Sequence, residues 1–304
     1  MYLLARGLPG VINFLAIALY TRLLTPDDYG RYALIVAGVG LFNVVFFQWL
    51  RLSLLRFLPA HLEKPAPLLS TIMVAFSTLA LLTGGLGILL AWLWPDPTWR
   101  GLVLLAVPLL WAQAWFELNL ELARARLLPI RYGIMSGLKA VTAFLLGVLF
   151  LLLSFGVYGP LLGLLAGMLL AGFLSARREW TSVKHVVSKP LLNELLRYGL
   201  PLTASFALGF VVNVSDRLLI AVFLGEAPAG VYSASYDLAY QGLFLLMTIM
   251  NLSAFPLILK ALEREGESAA RKVSQQSTTM ILAVALPLTI VLILLAPAIV
   301  TLVL

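Results

Sequence analysis

The chain has 304 residues, 62% of them hydrophobic and only 12% charged, with a mean hydropathy of +1.00. A soluble domain of this size is nearer half apolar and a quarter charged, so a water-soluble enzyme or binding domain is excluded. Against that background the net charge of +7 reads as loop charge that sets orientation in a membrane rather than as a nucleic-acid footprint. The absence of cysteine removes disulfides, thiolate metal sites and cysteine nucleophiles. The two histidines, His61 and His185, fall in charged connecting segments.

Uncharged apolar runs of about 20 residues read as membrane-spanning helices, because a helix satisfies its own backbone where lipid cannot. Nine such spans are expected: Leu3–Leu24, Tyr32–Leu50, Leu68–Trp94, Leu102–Leu120, Tyr132–Leu153, Tyr158–Ser175, Tyr198–Leu224, Val231–Leu259 and Thr278–Leu304. The first leads straight into a polar turn with no cleavage signal, so it is expected to stay as a helix. Aromatic residues such as Tyr29, Trp94, Trp99, Tyr158 and Tyr198 mark the span ends, as in an interfacial belt. Strand-type alternation is absent, which argues against a β-barrel.

Of the 21 Lys and Arg, 15 lie in the loops that follow even-numbered spans. These loops, and with them the N-terminus, are therefore expected to face the cytoplasm. The opposite loops are short and rich in Pro and Gly (Thr25-Pro26-Asp27-Asp28, Trp94-Pro95-Asp96-Pro97, Gly225-Glu226-Ala227-Pro228), so consecutive spans pair as antiparallel hairpins. The longest inner loop separates six spans from three. Domain boundaries are placed at 1–176 for a six-helix lobe, 177–197 for a cytoplasmic linker, and 198–304 for helices 7–9 of a second lobe. Within the linker, Ser188 to Arg197 reads as a short amphipathic helix, with Pro190 near its start and Leu pairs at i, i+4.

One repeat organises the chain. Leu24, Gly30 and Tyr32 in the first hairpin match Leu224, Gly230 and Tyr232, with Leu19 matching Leu219 and Asn13 matching Asn213. Each pair is two hundred positions apart. Transporter folds are commonly built from such repeats, with the substrate site between them. The repeat is asymmetric in charge: Ala16, Ile17 and Ala37 stand where the second half has Asp216, Arg217 and Asp237.

Charges within spans are costly and mark a pathway or a partner. Arg217 and Asp237 lie ten residues before and after Ala227, at the turn between helices 7 and 8, which puts both about 15 Å into the helix at the same depth. They are expected to pair. Asp216, about 100° away round the helix, points elsewhere. The pair either fixes helix packing or breaks and re-forms during transport. Arg51, Arg56 and Arg217, with Lys139 behind them, are the cations able to hold a phosphate; Arg offers a planar fork that matches its oxygens. Headgroup anchoring is the competing role for Arg51 and Arg56, and snorkelling for Lys139. Asn13 and Asn213 either line a cavity on the pseudo-symmetry axis or bond helix to helix. Gly7, Pro9, Gly10, Gly199, Pro201 and Pro256 are candidate bending points or packing sites. No Ser/His/Asp arrangement, carboxylate pair in a cleft or phosphate-binding loop of the Walker type is present, so no enzyme is indicated.

Several stretches resemble bacterial polysaccharide flippases: Leu19-Tyr20-Thr21-Arg22-Leu23-Leu24-Thr25-Pro26-Asp27-Asp28-Tyr29-Gly30-Arg31-Tyr32, Ser53-Leu54-Leu55-Arg56-Phe57-Leu58-Pro59, Ala123-Arg124-Ala125-Arg126, Tyr198-Gly199-Leu200-Pro201, Asp216-Arg217-Leu218-Leu219-Ile220 and Ala254-Phe255-Pro256. The chain is accordingly identified as similar to the polysaccharide transporter family of the multidrug/oligosaccharidyl-lipid/polysaccharide exporter superfamily. The resemblance implies an all-α integral membrane protein with a two-lobed exporter fold and a cavity lined by helices 1, 2, 7 and 8. It also implies a location in the bacterial inner membrane and a lipid-linked (undecaprenyl-pyrophosphate) oligosaccharide as cargo. Membrane lipids and a polysaccharide polymerase or synthesis complex are the other expected partners; no nucleic acid is expected. With no cofactor or ATP site, the drive is a proton or sodium gradient, the membrane potential or substrate consumption. The family has 12 to 14 helices, so the chain is expected to be truncated after helix 9, with a complete first lobe and a partial second. A multidrug or peptidoglycan-precursor exporter of the same superfamily, or a non-transporting membrane scaffold, are the alternatives.

Overall fold

A computed structural model describes residues 2–176, 180, 187–240, 258, 261–262 and 265–303. Side chains are described from residue 9 onward and, near the end, for 267–291, 293 and 294. Among the described residues the chain is helical and has no strand. The helices are α1 (Tyr2–Leu23), α2 (Pro26–Phe57), α3 (Ala66–Leu93), α4 (Pro97–Ala125), α5 (Pro129–Leu152), α6 (Tyr158–Ala176), α7 (Lys189–Leu224), α8 (described over residues 226–240) and α9 (Glu267–Val303). Helices α2, α3, α4, α5, α7 and α9 are each long and apolar enough to cross a membrane; α1 and α6 carry shorter apolar stretches, Pro9–Leu23 and Tyr158–Leu174.

The helices overrun the spans expected from hydropathy because their caps lie in the polar turns. At α2 the Thr25 side chain accepts from the Asp28 N–H at 3.2 Å, Pro26 takes the first helical position, and Asp27 and Asp28 face the positive end of the helix dipole. Asp96 caps α4 in the same way through the Thr98 N–H at 2.7 Å. Helix α7 stops at Gly225, whose φ of +98° only glycine adopts readily.

The first six helices pack round α4. Helix α3 and α6 lie on it, α2 lies along it, α5 lies along α6, and α1 lies along α5. The core comprises Phe47, Leu50 and Leu54 of α2, Leu68 and Ile72 of α3, and Leu118 and Leu122 of α4, all at most 1% exposed. Close approach of α5 and α6 uses glycines spaced by four: a Cβ on Gly167 would stand 2.6 Å from the Lys139 carbonyl oxygen. Trp180, beyond α6, is anchored on α4, with its Nε1 donating to Asn119 Oδ1 at 2.9 Å and its ring 5.1 Å from that of Trp115.

The amphipathic segment expected as a separate linker helix at Ser188 to Arg197 is instead the opening of α7, and the helix continues through Pro201. Packing accounts for the continuity. Leu195 is fully buried against α2, its carbonyl accepting from Ser53 Oγ at 2.9 Å, and Leu191, Leu192 and Leu196 join the same core. Gly199 is a contact rather than a bend: a Cβ there would meet Ser53 Oγ and the Trp49 backbone at 2.8 Å. Pro9 and Pro201 both lie inside helices, while Pro256 falls outside the described residues.

Candidate functional site at the seam between repeats

The two halves meet along α2, which packs on α4 with one face and on α7 with another. At the end of the bundle bearing the short turns, the matched glycines touch. A Cβ on Gly30 would overlap the Glu226 carbonyl, and a Cβ on Gly230 would overlap the Pro26 carbonyl. Residue 226 is the repeat equivalent of 26, so the contact is reciprocal and the pseudo-twofold axis passes through the glycine pair. Backbones approach this closely only where both helices lack a side chain. Tyr20, Leu24, Tyr29 and Ala33 then pack with Ala234 to seal this end.

A polar clasp lies beside the crossing. Glu226 Oε2 accepts from Arg31 Nε at 2.5 Å, and its Oε1 accepts from Trp99 Nε1 at 2.6 Å. Arg31 also bridges to Asp28 at 3.3 Å. The start of α8 is thus held to both α2 and α4. In the sequence Trp99 reads as a belt residue and Glu226 as part of a turn, because only tertiary packing brings the two together.

One helical segment deeper lies the charge pair. Arg217 Nη2 donates to Asp237 Oδ1 at 2.5 Å, with side chains 13% and 30% exposed. Asp216 points away: it accepts from the Tyr232 hydroxyl and, at 2.8 Å, from the Arg217 backbone N–H. The Arg217 guanidinium also stands 5.0 Å from the Tyr236 ring centroid, within cation–π range. Its Nε is buried and has no acceptor among the described residues.

The other predicted cations are elsewhere. Arg51 faces the interior of the first six helices. It bonds Glu117 through Nη1 and Gln48 through Nη2, and Glu117 also accepts from Asn43 at 2.7 Å and Gln113 at 3.0 Å. This network crosses from α2 to α4. Its members were visible as polar residues within spans, but their pairing depends on the α2–α4 register. Glu117→Leu should leave the Arg51 charge unpaired and cost about 3–5 kcal/mol, whereas Arg51→Met with Glu117→Leu should regain most of it. Thermal unfolding of the purified protein reads both. Lys139 sits over the Phe116 ring at 5.8 Å, inside the same bundle. Arg56 is exposed near the end of α2. Asn13 and Asn213 are both exposed, and the Asn213 amide donates to the Gly209 carbonyl of its own helix at 2.8 Å. Of the predicted site residues, the structure gathers Asp216, Arg217 and Asp237, with Asn213 one turn before Arg217 on α7, and places Arg51, Arg56 and Lys139 on the first six helices and Asn13 on α1. An apolar cavity of about 150 Å³ between α2, α3 and α4, lined by residues such as Phe42, Leu86 and Val107, has no charged wall. Among the described residues no group of three or more His, Asp or Glu could hold a metal ion.

A helical bundle crossed at matched hairpins, with charges at mid-span, defines a multi-pass membrane protein. A family model described as polysaccharide biosynthesis protein matches residues 19–304, and the chain belongs to that family. Its fold is similar to an outward-facing multidrug resistance MATE family transporter of the MOP superfamily, with a TM-score of 0.61, 16% identity, and coverage of 98% of this chain and 71% of that one. A crystal structure of a MATE point mutant is similar at a TM-score of 0.58, 16% identity and the same coverage. At this identity the likeness concerns the fold. No curated protein matches the sequence.

Proposed function

We propose that the protein flips a lipid-linked oligosaccharide, carried on undecaprenyl pyrophosphate, across the bacterial inner membrane by alternating access. Membership of a polysaccharide biosynthesis family supports the substrate class. The observation that carries the site is Arg217, a cation at mid-span depth paired to Asp237 across the α7–α8 hairpin. A pyrophosphate oxygen is the anion that would compete with Asp237 for it. Arg56, exposed near the end of α2, is proposed as an outlying cation along the entry path, with Asn13 and Asn213 as weaker contributors.

In this reading the basic end faces the cytoplasm and the short turns face out. The Gly30–Gly230 crossing and the Glu226 clasp hold the outer end together, and α7 is also seated on the inner end of α2 through Leu195 and Gly199, so admitting substrate requires that inner contact to part. Rocking of the first six helices against α7 and the helices that follow would break the clasp and expose the sugar outside. A proton or sodium gradient is the proposed drive, and Asp237, held by Arg217, is the proposed coupling group.

Complementation of a flippase-deficient strain tests this. Arg217→Ala should abolish surface glycan in cells where the protein is correctly inserted. Full export by that variant would sink the site assignment. Export of cationic drugs instead of glycan would favour the multidrug reading.

A further inference from the structure

Any anion that binds Arg217 must displace Asp237, so the surroundings of that carboxylate decide what the exchange costs. Helix α8 presents Ser233, Ala234 and Asp237 within about one turn, with Asp237 falling between the other two when viewed down the helix. Ala234 is buried among Tyr20, Leu24, Tyr29 and Ala33, and Tyr32 packs against the same cluster. Asp237 therefore lies on the face of α8 turned toward the tyrosines of α2, and its charge is felt at both the Tyr29 and the Tyr32 hydroxyl. Ser233, four residues before it on that face, is 1% exposed, and its Oγ has no partner among the described residues.

The repeat sharpens the role of the α2 phenols. In the second half the Tyr232 hydroxyl donates to Asp216. Its equivalent, Tyr32, has Ala16 at the matching place, so the first repeat offers that phenol no carboxylate of its own. The negative charge near Tyr32 comes from Asp237, in the other repeat. A carboxylate that loses its guanidinium inside the bundle is costly unless other donors take it up. Hydroxyls donating to a carboxylate form short, charge-assisted bonds that can do so. Ser233 supplies one such donor from α8 itself, and Tyr29 and Tyr32 supply two from across the seam.

We propose that Asp237 has a second seat: when an anion takes Arg217, the carboxylate turns to the hydroxyls of Ser233, Tyr29 and Tyr32, which act as positioning residues for cargo binding. The inference rests on the reading of Arg217 as the pyrophosphate cation and adds what becomes of its counter-ion.

The test has two arms, both on the full chain in nanodiscs. In the first, Tyr29→Phe with Tyr32→Phe keeps both rings and removes the hydroxyls. Its binding of undecaprenyl pyrophosphate should weaken about tenfold, because the displaced carboxylate then lacks its donors. The second arm needs no lipid, since Arg217→Leu vacates Asp237 permanently. Removing the two hydroxyls should lower the unfolding temperature by less than about 2 °C in the unaltered chain and by more than about 5 °C in the Arg217→Leu chain. A purely structural role would give the same loss in both backgrounds, and that result would overturn the second seat. Unweakened lipid binding by the phenylalanine variant would overturn it too. If the background dependence appears but the unaltered chain binds no lipid, the second seat stands and the pyrophosphate reading fails.

Discussion

Gly30→Val is expected to part the bundle end that bears the short turns and, under the alternating access proposed above, to move the equilibrium away from the conformation closed at that end by about 5–150-fold. Any Cβ at residue 30 overlaps the carbonyl of Glu226, and that obstacle is backbone, which cannot rotate aside as a side chain can. Overpacking of this kind costs about 1–3 kcal/mol, and here the whole cost falls on one of two conformations. Gly230→Val should do the same from the other side, because its Cβ meets Pro26. The chain has no cysteine, so Asp27→Cys and Pro228→Cys supply two clean label sites at this end. Spin-label distances between them should lengthen in either glycine variant and change little in Gly38→Ala, where a Cβ meets nothing within 4 Å. An unchanged distance distribution in Gly30→Val would show that the crossing does not govern closure.

Asp237→Ala is expected to lower stability by about 3–5 kcal/mol, because it leaves Arg217 charged and largely buried with no counter-ion. Arg217→Leu with Asp237→Leu should regain most of that loss, as apolar replacements of buried ion pairs commonly do. Thermal unfolding measures stability, and glycan export measures function; the two should separate. The double leucine variant is expected to be stable and inactive, since it lacks the cation that Proposed function assigns to pyrophosphate. Export at the unaltered level by that variant would reduce the pair to a packing device.

Much of the fold was legible because lipid imposes one rule on every span. Apolar length alone places the helices, and the short Pro and Gly turns dictate hairpins. Boundaries were less legible: α2 begins at Pro26 rather than Tyr32, because Thr25 caps it outside the apolar run. Helix α7 begins at Lys189 because Leu195 is buried on α2, a fact that hydropathy does not carry. The Arg217–Asp237 contact followed from counting residues on either side of one turn, a local calculation. Glu226 with Arg31 and Trp99, and Arg51 with Glu117, join residues from helices far apart in sequence, and no spacing rule reaches them. The Gly30–Gly230 contact lies between these cases. The repeat register marks the two as equivalent, and only the packing shows that equivalents touch at the axis.

Flipping in proteoliposomes tests the central claim most directly. The full chain is reconstituted with an undecaprenyl-pyrophosphate oligosaccharide placed on one leaflet, and a membrane-impermeant glycosidase reads the sugar that reaches the other. The account predicts steady conversion of the protected sugar by the unaltered chain and a rate at the protein-free level for Arg217→Ala. Conversion at the protein-free level by both, or equal conversion by both, would contradict it.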